Sequence, residues 1–328
     1  MRLPPAVPLV FALLAAACVD VTPASTGLQS PPLPARASAA ASPGAAPTMS
    51  PSLVPTVSSP PTASPTSPAL PTPTSTSAVP KAVIIVGPTD EETQTNLEQG
   101  EAMAQNAEAA GMRVIRVFYP HATWDNVLAA VQGANLVAYY GHGYGWPSNT
   151  PEIWEVQQDG MGLNSYDGSG VGEVHYYGAN KIRESVRLAP HAVVFLMRGC
   201  YTAGNGLNSA PIPTLDVARQ HVDNFASGWL GVGAGAVFAL AFGTRFDYPA
   251  RLMDPTTVAT IDELFALPGD YIGLNELYFD SVRTPGARNH LDADPTRGYL
   301  RAVSGDLAMT TGIWRTGAGQ TTVVASSL

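Results

Sequence analysis

From Lys81 onward, short runs of continuous apolar residues alternate with longer segments in which apolar residues recur every three or four positions. "KAVIIVG" (Lys81–Gly87) is a β-branched run closed by Gly-Pro, the signature of a strand buried on both faces. "TDEETQTNLEQGEAMAQNAEAAG" predicts a helix, with Thr89 or Asp90 as its cap, acids in its first turn and Gly111 at its end. "MRVIRVFYP" is a second strand, "TWDNVLAAVQGA" a second helix, and "NLVAYYGHG" (Asn135–Gly143) a third strand entering a glycine turn. Residues 144–179 break the rhythm with Gly, Asn, Asp and Tyr; a segment that long implies function or a hairpin, with "VGEVHYYG" as one of its strands. The rhythm then resumes: "NKIRESVRLAP" as a short helix capped by Asn180, "HAVVFLMRGC" as a fourth buried strand, "TLDVARQHVDNFASGWLGVG" as a helix and "AGAVFALAFG" as a fifth strand. In the tail, "DYIGLNELYFDSVR" reads as a helix. Strands alternating with helices predict an α/β fold, a three-layer sandwich around a mostly parallel sheet with right-handed crossovers.

Composition divides the chain. Residues 1–18, "MRLPPAVPLVFALLAAAC", carry one positive charge, Arg2, and an apolar run too short to span a bilayer, so they read as an export signal. Ala15, Ala16 and Ala17 stand directly before Cys18, as in a bacterial lipoprotein cleavage box whose cysteine becomes the lipidated N-terminus, although Ala15 occupies a place where that pattern prefers Leu. An ordinary cleaved secretory signal is the other reading. Residues 19–80 are dominated by Pro, Ser, Thr and Ala, with Asp20 and Arg36 as their only charges. Such a segment buries too little apolar surface to offset its ordering entropy and reads as a disordered tether. Residues 81–328 have the composition of one globular α/β domain. The formal net charge of −9 and the lack of a Lys/Arg cluster argue against nucleic acid as a partner. "WLGVGAGAVFALAF" is the greasiest later stretch, but it is short and broken by glycines, as in a buried strand and its approach. The expectation is an exported protein, at the cell surface or in the periplasm, lipid-anchored or else secreted.

His142, between Gly141 and Gly143, stands just past the third strand; Cys200 stands just past the fourth. Ligands of open parallel sheets bind outside the carboxyl ends of the strands. A thiol, an imidazole and unobstructed backbone N–H groups at one rim are the parts of a cysteine nucleophile with an oxyanion site. Structural cysteines of exported proteins come in pairs. With Cys18 assigned to a lipid, Cys200 is expected to be unpaired. The bland alternative is an inert buried cysteine acting as a small apolar residue.

Three blocks in order, "AYYGHGYG", "VVFLMRGCYTAGNG" and "GWLGVGAGAVFALAFGT", resemble the caspase-like cysteine peptidases, the group that includes caspases, gingipains, legumain, clostripain, separase and the CHAT domains; "GYLRAVSGDLAMT" is faintly similar to a gingipain-like closing segment. The resemblance covers roughly Lys81 to Gly243. It implies a caspase-like fold, Cys200 as nucleophile, His142 as general acid/base, and the N–H groups of Gly143 and Cys200 as oxyanion donors. It also implies that the residue two before the cysteine, here Arg198, helps line the pocket for the residue preceding the scissile bond. A basic residue there suits an acidic or polar substrate side chain. Alternatively Arg198 turns away and pairs with a structural acid. Should cleavage follow a basic residue instead, Asp159 and Asp167 of the long loop are the candidate pocket acids.

No metal or cofactor is expected, with one reservation: Asp167, Ser169 and Glu173, or Asp292 in "DADP", space oxygens as a calcium loop does. There is no HExxH and no Gly-x-Ser-x-Gly elbow. The residues point to a cysteine endopeptidase with a Cys–His dyad, acting on a peptide or protein substrate and held to a membrane by its N-terminal lipid. The rivals are a catalytically idle caspase-fold binding module and a surface peptide- or carbohydrate-binding lipoprotein. The last would use the aromatic loop with Tyr144, Trp146, Trp154, Tyr166, Tyr176 and Tyr177. The sequence carries no signal of oligomeric state.

Overall fold

The computed structural model describes residues 79–145, 159–206, 210–241, 247–266 and 275–317, and the statements below concern those residues. The export signal with Cys18, most of the tether, and Trp146 and Trp154 lie outside them.

The apolar runs form strands because each is buried on both faces. β1 (Lys81–Val86), β3 (Leu136–Tyr140) and β7 (Ala192–Met197) are buried at every position. With β2 (Arg113–Phe118) and β8 (Ala234–Leu240) they make five parallel neighbours in the order β2-β1-β3-β7-β8. β11 (Gly298–Gly305), β10 (Arg288–Asp294) and β9 (Asn275–Asp280) extend the sheet beyond β8 as an antiparallel meander. The result is an α/β fold with a large, mixed, mostly parallel sheet.

Helices cover both faces, and the period-two alternation of the strands assigns the core residues to each. Val83, Ile85, Val137, Val194 and Leu196 pack with Trp124 and Val127 of α2 (Trp124–Val131), Ile182 of α3 (Ala179–Ser185), and Phe225 and Trp229 of α4 (Leu215–Leu230). Their sequence neighbours Ile84, Val86, Ala138, Tyr140, Phe195 and Met197 share the opposite core with Met103 and Ala104 of α1 (Thr93–Ala109). That core also takes in Leu252 of α5 (Tyr248–Met253), Leu264 of α6 (Ile261–Ala266) and Trp314 of α7 (Thr311–Gly317).

Three local expectations need correction. The tail segment read as a helix is strand β9 from Asn275, because its apolar residues obey period two: Leu277 and Phe279 pack on Ala218 and Val222 of α4, while Glu276, Tyr278 and Asp280 are exposed. The third strand ends at Tyr140 and enters the glycine turn as expected; what the sequence did not show is that the chain then starts a second sheet with β4 (Gly143–Tyr144), paired to β5 (Gly160–Asn164) and β6 (Val174–Tyr177). The acids after β1 form a separate 3-10 turn, Asp90–Glu92, and α1 begins only at Thr93, whose hydroxyl accepts from the Thr89 N–H at 2.8 Å. α3 is entered through Gly178 rather than Asn180, whose carboxamide instead accepts from Arg183.

Candidate active site

β3 and β7 are adjacent and parallel, with Tyr140 opposite Met197. The turns carrying His142 and Cys200 therefore leave the same rim side by side. Their backbones touch. A Cβ on Gly143 would collide with the Cys200 carbonyl oxygen and lie 3.2 Å from its nitrogen, and one on Gly145 would collide with Tyr201. Only glycine permits that approach.

The main chain of His142 is fixed by two donors to its carbonyl: the Tyr139 hydroxyl at 2.7 Å and the Gly162 N–H at 2.9 Å. The second bond makes Gly143 and Met161 a non-hydrogen-bonded pair of the β4–β5 ladder, so the Gly143 N–H points away from β5. That N–H is bonded to no other described residue. The His142 imidazole is largely buried, with Nε2 3.9 Å from Asp90 Oδ2. Burial pushes its pKa below the usual histidine value, and the Asp90 charge pulls the other way.

Cys200 is 4% exposed and sits in a turn between two residues in the left-handed region, Arg198 at φ 65° and Tyr201 at φ 67°. The turn is pinned from several sides. Thr202 Oγ1 donates to the Gly199 carbonyl at 2.8 Å, and the Tyr201 N–H donates to the Asn205 carbonyl at 2.9 Å. The Asn205 carboxamide ties the turn to the start of β11 through Arg297 and Tyr299. Buried His221 of α4 holds the Gly204 carbonyl through Nδ1 at 2.6 Å and meets the Tyr201 ring edge-on at 5.0 Å. Strained φ values and converging restraints are the mark of a turn whose shape matters.

One expectation about this turn changes. Cys200 is disulfide-bonded in this structure rather than unpaired. Nucleophilic chemistry at this sulfur begins from the reduced protein. Arg198 Nη2 donates to Glu92 Oε2 at 2.7 Å, which compensates the guanidinium charge.

The other candidates scatter. Asp159, buried at φ 57°, immediately precedes β5, whose Gly160 pairs with Tyr144, and so lies on the small sheet beside the Cys200 turn. Asp167 is exposed and accepts from Asn126 at the start of α2, beside the end of β2. β2 is three strands from β7, about 14 Å at ordinary strand spacing. Several of the oxygens weighed for calcium have protein partners. Ser169 Oγ accepts from Asn164, Asp292 pairs with Arg301, and Asp294 binds the N–H groups of its own turn, which holds its pKa well below the carboxylate range. Among the described residues no three His, Cys, Asp or Glu converge as metal ligands.

The residues missed from the sequence are Asp90 and Glu92. The sequence reads Asp90 as a candidate helix cap and Glu92 as an acid of the helix's first turn. Yet they follow β1, and every parallel strand of the sheet ends at the same rim, so acids at that point fall beside whatever β3 and β7 deliver. Together the two turns bring an imidazole with an acid near it, a sulfur and an uncommitted backbone N–H to one place. Compared with known protein families and with characterised proteins, the chain matches no family profile and no characterised relative.

Proposed function

We propose that the domain is a cysteine endopeptidase of the caspase-like kind, acting through Cys200 and His142 when Cys200 is reduced. The observation that carries the reading is the contact of the Gly143 and Cys200 backbones at the shared end of two adjacent parallel strands. In the reduced protein the Cys200 thiol loses its proton to His142. The thiolate attacks the peptide carbonyl carbon, and the N–H groups of Gly143 and Cys200 receive the developing oxyanion. The imidazolium returns the proton to the departing amine, leaving a thioester. Water, deprotonated by His142, hydrolyses that thioester and regenerates the thiol. An imidazole whose pKa is depressed is neutral near pH 7, the form needed to accept the proton.

One observation favours a second reading, a caspase-fold module without hydrolytic activity: Cys200 is bonded to sulfur here. An intrachain disulfide and a lipidated Cys18 exclude one another in a chain with two cysteines, so the intact mass of the membrane-extracted protein separates those states. The deciding assay incubates the full chain, with and without reductant, with a fluorogenic peptide library. Turnover only under reduction, falling by about 10³-fold or more in Cys200→Ala and in His142→Ala, supports the peptidase. A folded, reduced protein that cleaves nothing, and whose Cys200 alkylates equally fast in wild type and His142→Ala, supports the idle module.

A further inference from the structure

On the face of the sheet opposite the core that contains Cys200, a cleft of about 540 Å³ opens between α1 and α5. Its volume lies in the range of small-ligand sites. Its floor is apolar: Met103 of α1 and Tyr140 and Met197, the last residues of β3 and β7. Its edges carry two exposed carboxylates, Glu98 on α1 and Asp247 at the start of α5. Among the described residues neither has a cationic partner. Glu98 accepts from the Gln94 carboxamide at 3.0 Å, and the Asp247 carboxylate is bonded to no described residue.

A second, independent observation lies on the floor. Tyr140 is 4% exposed and lines the cleft, yet its hydroxyl makes no hydrogen bond to a described residue. Burial pushes its pKa up to about 12, so it remains a donor at any ordinary pH. The neighbouring phenol on β3, Tyr139, donates to the His142 and Gly162 carbonyls, whereas the Tyr140 hydroxyl, with the Arg198 charge near it, keeps its donor for an occupant of the cleft. Tyr140 instead lines the cleft.

We propose that this cleft binds an amphipathic organic cation: an ammonium or guanidinium for the two carboxylates, an apolar body for the methionine floor, and an acceptor oxygen for the Tyr140 hydroxyl. Each requirement follows from one part of the wall. The site is independent of the peptidase reading, because neither His142 nor Cys200 lines it.

The test uses the full chain and benzoylagmatine, which carries a guanidinium, an alkyl stem, an amide carbonyl and a phenyl ring; N-butylbenzamide is its uncharged counterpart. Titration calorimetry is expected to show saturable binding of the cation, at least about tenfold tighter than the neutral analogue and weakened by salt. Glu98→Gln combined with Asp247→Asn, both at exposed positions, removes the preference for the cation. Tyr140→Phe keeps the ring and weakens both ligands. Cys200→Ala changes neither, which separates this cleft from the rim. Absence of saturable binding to the cooperatively folded protein overturns the proposal. So does a charge preference that survives the double variant, or binding lost in Cys200→Ala.

Discussion

The rim beyond β3 and β7 and the antiparallel flank made by β9, β10 and β11 both collect charged groups, and they use them in opposite ways. On the flank the central charges are buried and paired, although Asp292 Oδ1 and His290 Nε2 have no hydrogen-bond partner among the described residues. Arg301 donates to Asp292, to the Tyr248 hydroxyl and to the Phe265 carbonyl, and stacks over the Phe265 ring at 4.7 Å. Buried His290 meets Asp262 at 2.7 Å, and Asp262 also accepts from Tyr278. On the other face Asp223 of α4 accepts from Ser281, from the Val282 and Arg283 N–H groups and from Asn289. At the rim His142 and Asp90 are 3.9 Å apart, and the cysteine turn contains two left-handed residues. The inner parallel strands are buried on both faces and hold by apolar area alone. The flank is a sheet edge whose outer strand exposes every second residue, so carboxylates and a guanidinium bolt it to the helices. At the rim the His142 imidazole stands 3.9 Å from Asp90, too far for a direct hydrogen bond, and so is not held in a close charge pair.

If that contrast is right, the largest effect on stability comes from the flank. Asp292→Ala leaves the Arg301 guanidinium buried without its charge partner and should cost about 3–5 kcal/mol in denaturant unfolding. Burial already pushes the Asp292 carboxyl above its usual range against the pull of Arg301. Asp292→Leu combined with Arg301→Met should therefore recover most of the loss. A single variant that melts like wild type would show that the flank does not depend on this pair. Asp223→Ala comes next, at about 1–3 kcal/mol for the groups it strands. Hydrogen exchange should register it first in the 281–289 hairpin, while β3 and β7 keep their protection. Uniform loss across the sheet would mean that the flank is not a separate unit.

The same contrast sets what could be read from the sequence. "KAVIIV", "LVAYY" and "AVVFLM" are buried at every position, and a continuous apolar run has few other interpretations. Their parallel adjacency brought His142 and Cys200 to one rim, as their positions after the third and fourth strands suggested. The flank was opaque. "NELYFD" fits a helix or a strand equally well over six residues, and only packing of Leu277 and Phe279 on α4 decides. Asp292 and Arg301 look like solvent-facing charges until β10 and β11 pair and bury them together. At the rim, Glu92 is 106 residues from Arg198, and no local pattern encodes a pairing across that separation.

A smaller effect should come from the link between the two rim turns. Glu92→Gln removes the charge partner of Arg198 and should cost about 1 kcal/mol, since both side chains are only partly buried. Its consequence for the proposed activity is more informative. With the guanidinium no longer compensated, cleavage should shift toward peptides bearing Asp or Glu before the scissile bond. Arg198→Gln should remove that shift. An unchanged preference in Glu92→Gln would place Arg198 out of reach of the substrate.

The smallest effect concerns Asp90, whose side chain is 42% exposed and therefore well screened. Burial sets the His142 pKa below the unfolded-state value of about 6.5, and Asp90 partly restores it. Because the folded pKa is depressed, the unfolded chain binds more protons than the folded one as pH falls through about 6.5. Stability is therefore lost on acidification from neutral pH down to the folded pKa. Asp90→Asn removes the one influence that raises this pKa, so the loss should extend to lower pH and become slightly larger. His142→Phe should abolish this contribution while keeping the side chain's bulk. The direct measurement is the NMR titration of the His142 ring in wild type and Asp90→Asn: a lower midpoint in the variant is expected. An identical midpoint would mean that 3.9 Å across a wet rim couples the two groups too weakly to matter. Asp90 would then have no part in tuning the base, and burial alone would set it.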